Sequence, residues 1–365
     1  MFNLRFYQFL IQLSLFNLIL MNFIIEKTFD SPIEKLLLFD DHLYIGTIDS
    51  LHRLSSTTLQ TNHQILHFNQ TYHWKIFSLI NQNQQFLACG TINQGICQLI
   101  DLDLNIIWTS TFPVVANDPI NSTVSLIIPE ENLIYIGVTN TNHGYTRWQI
   151  PNICGRSLNS SNFLQIYSIE NQNDELLSED LSIRFLRRQQ LTYIVQYIYS
   201  FSTTNYIYFV TNQPNEHDQT QIITKIVRFC RTTNSSILKS YSEIRLNCDN
   251  SNWLIQSAQI MSDSNDQLIL IGHFKHQNRV QGTKFCSWNV RKDIDRAFLD
   301  NYQTCYSRGF GETGLHFLKP TQSCRKHPVD LRSFFQIKNV FFVLVFCNRI
   351  GRNKWKRTTT IFALG

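Results

Sequence analysis

Leu87–Gln98, LACGTINQGICQ, reads as an apolar strand, a polar turn carrying Gly95, and a returning strand. Cys89 and Cys97 sit where the two strands face each other. Across so tight a β-turn their Cα atoms can come within the roughly 4.4–6.8 Å that a disulfide requires. Closing a loop this short would remove about 2.5 kcal/mol of unfolded-chain freedom. Zinc takes paired C-x2–4-C knuckles and redox pairs favour C-x-x-C beside a βαβ pattern, and this hairpin has neither spacing. The alternative is a pair of buried thiols on adjoining strands, and the redox compartment decides between the two.

The N-terminus bears on that compartment. Met1–Ile25 opens with Arg5 and continues through FLIQLSLFNLILMNFII, a positive n-region followed by an apolar h-region, which predicts a secretory signal peptide over 1–25. Gln12, Asn17 and Asn22 would lie among lipid tails if the stretch spanned a membrane. Val340–Phe346 is the next longest apolar run, far short of the ~18 residues of a transmembrane helix. The chain has 365 residues, is 43% hydrophobic and 13% aromatic, and can bury a large core. Charged residues are only 16%, against about 25% in an average soluble domain, and Asn, Gln, Ser and Thr supply the missing polarity. Nine cysteines in a secreted chain imply a disulfide framework with one thiol left over. Sequons at Asn69, Asn121, Asn159 and Asn234 agree with secretion. A net charge of +5 is mild, and no element carries a basic stripe interleaved with aromatics, so nucleic acid is not an expected partner. Arg187–Arg188 and Lys354–Arg357 read as solvated charge rather than such a patch.

From Ser31 onward, short apolar runs alternate with polar turns and helical periodicity is scarce. Several runs end in glycine: Leu43-Tyr-Ile-Gly46, Phe86-Leu-Ala-Cys-Gly90, Leu133-Ile-Tyr-Ile-Gly137 and Leu268-Ile-Leu-Ile-Gly272, with Tyr206–Thr211 (YIYFVT) a looser member. The first three glycines fall about 45 residues apart, within the 40–50-residue period of β-propeller blades. The wider spacing after Gly137 places insertions between later blades. A sandwich would predict tighter and more even strand spacing. Helices are expected only at Asn171–Leu186 and Val290–Asp300.

With this pattern in place, LACGTINQGICQ resembles the sema domain of plexins, the cell-surface receptors for semaphorins: Cys89-Gly90 matches its CG strand end and Gln94-Gly95-Ile96-Cys97 its Q-G-x-C return. The likeness continues through Leu43–Leu54 (LYIGTIDSLHRL), Tyr197–Pro214, Thr224–Cys230 (TKIVRFC) with Cys248 beyond it, Phe285–Phe298 (FCSWNVRKDIDRAF), and the Thr304-Cys305-Tyr306 and Ser323-Cys324 pair. The resemblance implies an all-β, seven-bladed propeller over 26–330. It also implies bridges Cys89–Cys97, Cys248–Cys286 and Cys305–Cys324, with Cys230 joined to Cys347, the one cysteine left beyond it. Cys154 matches no family cysteine and is the expected odd thiol. Residues 55–80 lack a cysteine pair usual in the family. Residues 331–365 have no counterpart in it and form a divergent tail, so the last blade is expected to be incomplete.

The function implied is a semaphorin-binding receptor ectodomain in signalling of the axon-guidance and cell-migration type, outside the plasma membrane or secreted. The partner would be a semaphorin sema domain, with co-receptor or homotypic plexin contacts as further partners. A secreted semaphorin-like ligand or a soluble decoy would use the same propeller, as does the scatter-factor receptor. Blade rims carry binding in this family, which points to the insertion between Thr139 and Tyr206 and to Arg184, Arg187 and Arg188 as ligand-contact candidates. No enzyme motif, cofactor, small-molecule substrate or metal is expected. Asp101-x-Asp103-x-Asn105 begins like a calcium loop, but Ile106 replaces the glycine and Phe112 the bidentate glutamate. Ser264-x-Asp266 lacks the rest of a glycosidase-propeller box, and His217 between Glu216 and Asp218 reads as a polar loop tip.

Overall fold

Apolar residues at every second position make strands that bury one face or both, and in the computed structural model they pair into five successive antiparallel sheets. The structure describes residues 27–308 apart from loop segments, the longest being 170–178, together with Leu315 and the backbones of strands 341–349 and 355–363. The signal-peptide reading therefore lies outside the described residues.

Sheet 1 holds β1 (Ile33–Phe39), β2 (His42–Thr47), β3 (Ser50–Ser55) and β4 (Thr61–His67), in that order. Sheet 2 holds β5 (Trp74–Ile80), β6 (Gln85–Gly90), β7 (Cys97–Ile100) and β8 (Ile106–Thr109). Sheet 3 is built from β9 (Thr123–Ile128), β10 (Leu133–Val138) and β11 (Ile153–Ser157). A small pair, β12 (Ser168–Ile169) and β13 (Glu179–Asp180), then precedes β14 (Ser182–Ile183), which pairs with β11 and completes sheet 3. Sheet 4 contains β15 (Gln196–Ser202), β16 (Tyr206–Pro214), β17 (Ile222–Cys230) and β18 (Ser242–Arg245), and sheet 5 contains β19 (Trp253–Ser262), β20 (Leu268–His276) and β21 (Thr283–Asn289). A hairpin of β22 (Phe341–Arg349) and β23 (Trp355–Ala363) comes last.

The chain divides into two compact units. The first contains sheet 1 and residues 102–105. Tyr44, Ile45, Leu51 and Leu54 form its core, Leu104 is buried, and Arg53 pairs with Asp103 at 2.9 Å. Asp103 lies in a turn and is the partner of an arginine.

In the second unit, sheets 2 to 5 stack face to face as propeller blades do. Ile76, Leu87 and the two hairpin cysteines of sheet 2 meet Ile134, Ile136 and Val138 of β10. The other face of β10 sends Leu133 and Tyr135 against Tyr197, Ile207 and Phe209 of sheet 4. Strand β16 repeats the device, with Ile207 and Phe209 turned to sheet 3 and Tyr208 and Val210 packed with Ile255, Leu270 and Phe274 of sheet 5. Period-2 alternation with both faces apolar is what a strand covered on two sides requires. Polar ties reinforce the stack. Arg231, after β17, pairs with Glu131 of the β9–β10 turn at 2.7 Å. Asn212 Nδ2 donates to the Ile255 carbonyl at 2.8 Å.

The helix expected over Asn171–Leu186 is corrected. Residues 171–178 lie outside the described set, but Glu179–Asp180 and Ser182–Ile183 are strands, and helix α1 occupies Arg187–Thr192. The physical reason is that Ile183 and Phe185 are both buried in the core shared by sheets 3 and 4, a period of 2 rather than 3.6. The second helical stretch is present and longer than expected. A π-helical turn, Val290–Asp295, leads into α2, Arg296–Arg308. Asn289 Oδ1 accepts from the Lys292 N–H at 2.9 Å while Asp293 Oδ2 accepts from the Asn289 N–H at 2.7 Å, a reciprocal cap.

Gly137, one residue before the end of β10, sits where sheet 4 packs closely against it. A Cβ on Gly137 would lie 2.6 Å from Tyr197 Cδ1 and 2.9 Å from Phe209 Cε1. Gly137→Ala is therefore expected to cost about 1–3 kcal/mol through overpacking, read as a lower urea midpoint at unchanged slope.

Candidate recognition site

The 87–98 hairpin is a structural clamp. Cys89 and Cys97 are register partners, joined by a disulfide and fully buried. Gly95 has φ +89°, its carbonyl accepts from the Val114 and Val115 N–H groups at 2.8 and 3.1 Å, and a Cβ there would lie 2.1 Å from the Val115 carbonyl oxygen. The Gln94 side chain accepts from Asn117 Nδ2 at 3.1 Å, and Asn117 Oδ1 accepts from the Thr141 hydroxyl at 2.5 Å. Each named letter of Q-G-x-C thus has a packing or hydrogen-bonding task.

A second disulfide joins Cys248 to Cys286 of β21. Cys230 is also disulfide-bonded; Cys324 and the side chains of Cys305 and Cys347 lie outside the described residues, so the pairings expected for them do too. Cys154 is a buried thiol on β11.

The rim between sheets 3 and 4 is more open to a partner. Asn152 bonds to this segment twice: its N–H donates to the Ile183 carbonyl at 2.9 Å, and its Oδ1 accepts from the Phe185 N–H at 2.9 Å. Phe185 is driven inward against Tyr193 in an edge-on ring contact of 6.2 Å. Alternation about that anchor turns Arg184 and Leu186 outward. The short helix α1 then buries Gln190 and exposes Arg188 and Leu191. Leu186 and Leu191 are 65% and 47% exposed, so the segment is a mixed ridge of two arginines and two leucines. The side chain of Arg187 lies outside the described residues. Sequence reasoning named the arginines and missed the leucines. The one available signal was the Ile183/Phe185 alternation, which puts Leu186 on the outward side.

The ridge is held from behind by sheet 4. The Tyr193 hydroxyl donates to the Pro214 carbonyl at 2.6 Å. Beside Pro214, Gln213 Nε2 donates to Glu243 Oε2 at 2.6 Å, Lys225 Nζ pairs with the same oxygen at 3.0 Å, and the Tyr241 hydroxyl donates to Oε1. Lys225 and Glu243 are buried. Burial first, and the Glu243 carboxylate next, hold the Tyr197 and Tyr241 hydroxyls well above the usual phenol range, so both stay protonated.

Over 236 residues, 64% of this chain and 12% of the relative, the sequence is 29% identical to Plexin-2 of Caenorhabditis elegans. Over 267 residues, 72% of this chain and 14% of the relative, it is 26% identical to Plexin-2 of Caenorhabditis briggsae. The chain is similar to plexins over these stretches. It spans about an eighth of the length of those curated proteins, and no family model matches it. Two structures of the Plexin A4 full extracellular region superpose on 80% of this chain with TM-scores of 0.61 at 20% identity, and the match covers 38% and 30% of those chains. The fold is an all-β propeller.

Among the described residues no helix of this chain is long and apolar enough to cross a membrane. Its most enzyme-like contact is Ser50 Oγ to His52 Nε2 at 2.7 Å. Asp49 accepts from the Ser50, Thr47 and Ser31 hydroxyls rather than from the ring Nδ1, and these bonds bring its pKa down to about 2. Ser50 is buried. A triad orients its histidine through the carboxylate; this cluster clamps a turn. Asp218 is exposed at a loop, and Glu216 and His217 lie outside the described residues.

Of the sequons, Asn69 and Asn234 lie outside the described residues. Asn159 is exposed with no side-chain cap bond. Asn121 Nδ2 donates to Asp118, and its carbonyl accepts from the buried Lys75 Nζ at 2.7 Å. Expression through a secretory pathway should therefore give higher glycan occupancy at Asn159 than at Asn121, measured by mass shift after glycosidase treatment in heavy-oxygen water. Separately, Lys225→Met leaves the Glu243 carboxylate in the core without that cation and should cost about 3–5 kcal/mol. Adding Glu243→Gln should restore most of the loss, read by chemical denaturation.

Proposed function

We propose that this chain is the ligand-recognising propeller of a plexin-type receptor, that it works outside the cell, and that its partner is a semaphorin propeller. The sequence likeness to two Plexin-2 chains carries this reading. Two further features support it. A buried disulfide at Cys89–Cys97 and a half-buried one at Cys248–Cys286 suit an oxidising compartment. Binding through loops on a rigid sheet scaffold needs no catalytic constellation.

The ridge of Arg184, Leu186, Arg188 and Leu191, with Arg187 beside it, is the proposed contact. Two leucines supply apolar area to be covered, and the arginines steer an acidic partner during encounter. The test is surface-plasmon binding of the purified chain to a panel of semaphorin ectodomains. Saturable binding to at least one is expected, and none across the panel would reject the reading. Arg184→Glu with Arg188→Glu should lower the association rate at low salt about tenfold, with a smaller effect at high salt, since screening weakens steering. An unchanged rate would remove the ridge as the contact while leaving the partner assignment in place.

A further inference from the structure

The runs Leu133-Ile-Tyr-Ile-Gly137 and Leu268-Ile-Leu-Ile-Gly272 have the same two-faced apolar pattern but different surroundings. In β10 all four apolar side chains are at most 1% exposed, because sheets lie on both sides. In β20, Leu270 and Phe274 are buried against sheet 4, whereas Ile269 and Ile271 on the opposite face are only half-buried. Register places Met261 beside Ile269, and His273 beside Phe285 with their rings 5.0 Å apart. Met261 is 53% exposed and Phe285 74%. An apolar face of this kind marks a surface that something covers.

We propose that the hairpin β22–β23 of the same chain covers it, as the core of the next blade. The hairpin is the next paired element after sheet 5 in chain order among the described residues. Its strands have nine residues each, against ten and nine in β19 and β20. Its register puts Phe341, Val343, Val345 and Ile361 on one face, and Phe342, Leu344, Phe346 and Phe362 on the other. Strand β22 is apolar on both faces over 341–346, and β23 adds Ile361 and Phe362 after a polar stretch of Lys356, Arg357 and three threonines. A strand of that two-faced pattern is suited to a position between two sheets, as β10 and β16 are. The stretch that sequence resemblance leaves without a counterpart thus acquires a structural task.

The test uses the intact chain. With Phe285→p-benzoylphenylalanine, irradiation is expected to yield links within one chain to peptides from 341–363. Links between two copies, links to other peptides of the same chain, or no link at all would overturn the assignment. Peroxide oxidation of Met261 in the unmodified intact protein gives an independent reading, since thioether oxidation follows exposure. A rate at least tenfold below that of a free methionine peptide is expected, and a rate equal to the peptide's would overturn it.

Discussion

Strands β6, β10, β16 and β20 carry apolar side chains on both faces, and the packing of that unit follows from the need to cover both. A sheet with two apolar faces gains nothing from pairing in its own plane once its strands are made; it has to be flanked. In β10 and β16 the alternation is so regular that neighbouring residues belong to different cores. Facing sheets can close to packing distance only where some position gives way. Gly137 is such a position, because the aromatic rings of Tyr197 and Phe209 occupy the space where its side chain would stand. The recurrent strand-ending glycine of the sequence is therefore a packing feature at β10, not a turn signal.

The same distinction separates what a family motif says about shape from what it says about binding. In the 87–98 hairpin, the disulfide, the left-handed Gly95 and the Gln94–Asn117 bond all serve one local geometry. The backbone has few ways to make this turn against Val115, and the motif records one of them. It carries the resemblance to plexins through residues whose observed tasks are all structural. On the proposed function, recognition falls instead to rim residues that no short pattern records.

That contrast sets how much was legible in the sequence. The strands at 43–46, 86–90, 133–137 and 268–272, their pairing into sheets and the helical turn after β21 could be read from apolar period and caps. The stretch ending at Leu186 was misread because its abundance of Asn, Asp and Glu hides the fact that Ile183 and Phe185 alternate. Their partners, Ile153 and Tyr193, are distant or beyond the segment, so no local window shows the burial. Arg184 and Arg188 could be named as charges on an insertion. The exposure of Leu186 and Leu191 could not, because it depends on where Phe185 is anchored. Lys225 and Glu243 were also silent: a lysine within IITKIVRFC reads as an outward position, and only the facing carboxylate, eighteen residues on, makes its burial tolerable.

The buried charge has a consequence for the ridge it backs. An ion pair in a core rarely adds net stability over an apolar pair of the same volume, since the loss of hydration offsets the attraction. What it does supply is a single arrangement. Gln213, Lys225 and Tyr241 all converge on one carboxylate, so β16, β17 and the approach to β18 cannot slide past one another without stranding a charge. Pro214 follows Gln213 directly, and its carbonyl holds the Tyr193 hydroxyl at the end of α1. The outward side chains of 184–191 are thereby referred, through Tyr193 and Phe185, to a fixed point in sheet 4. A contact surface ordered before its partner arrives loses less conformational freedom on binding than one that must order afterwards. On the proposed function, the polar core of sheet 4 is better understood as the mount for that ridge than as a source of stability in its own right.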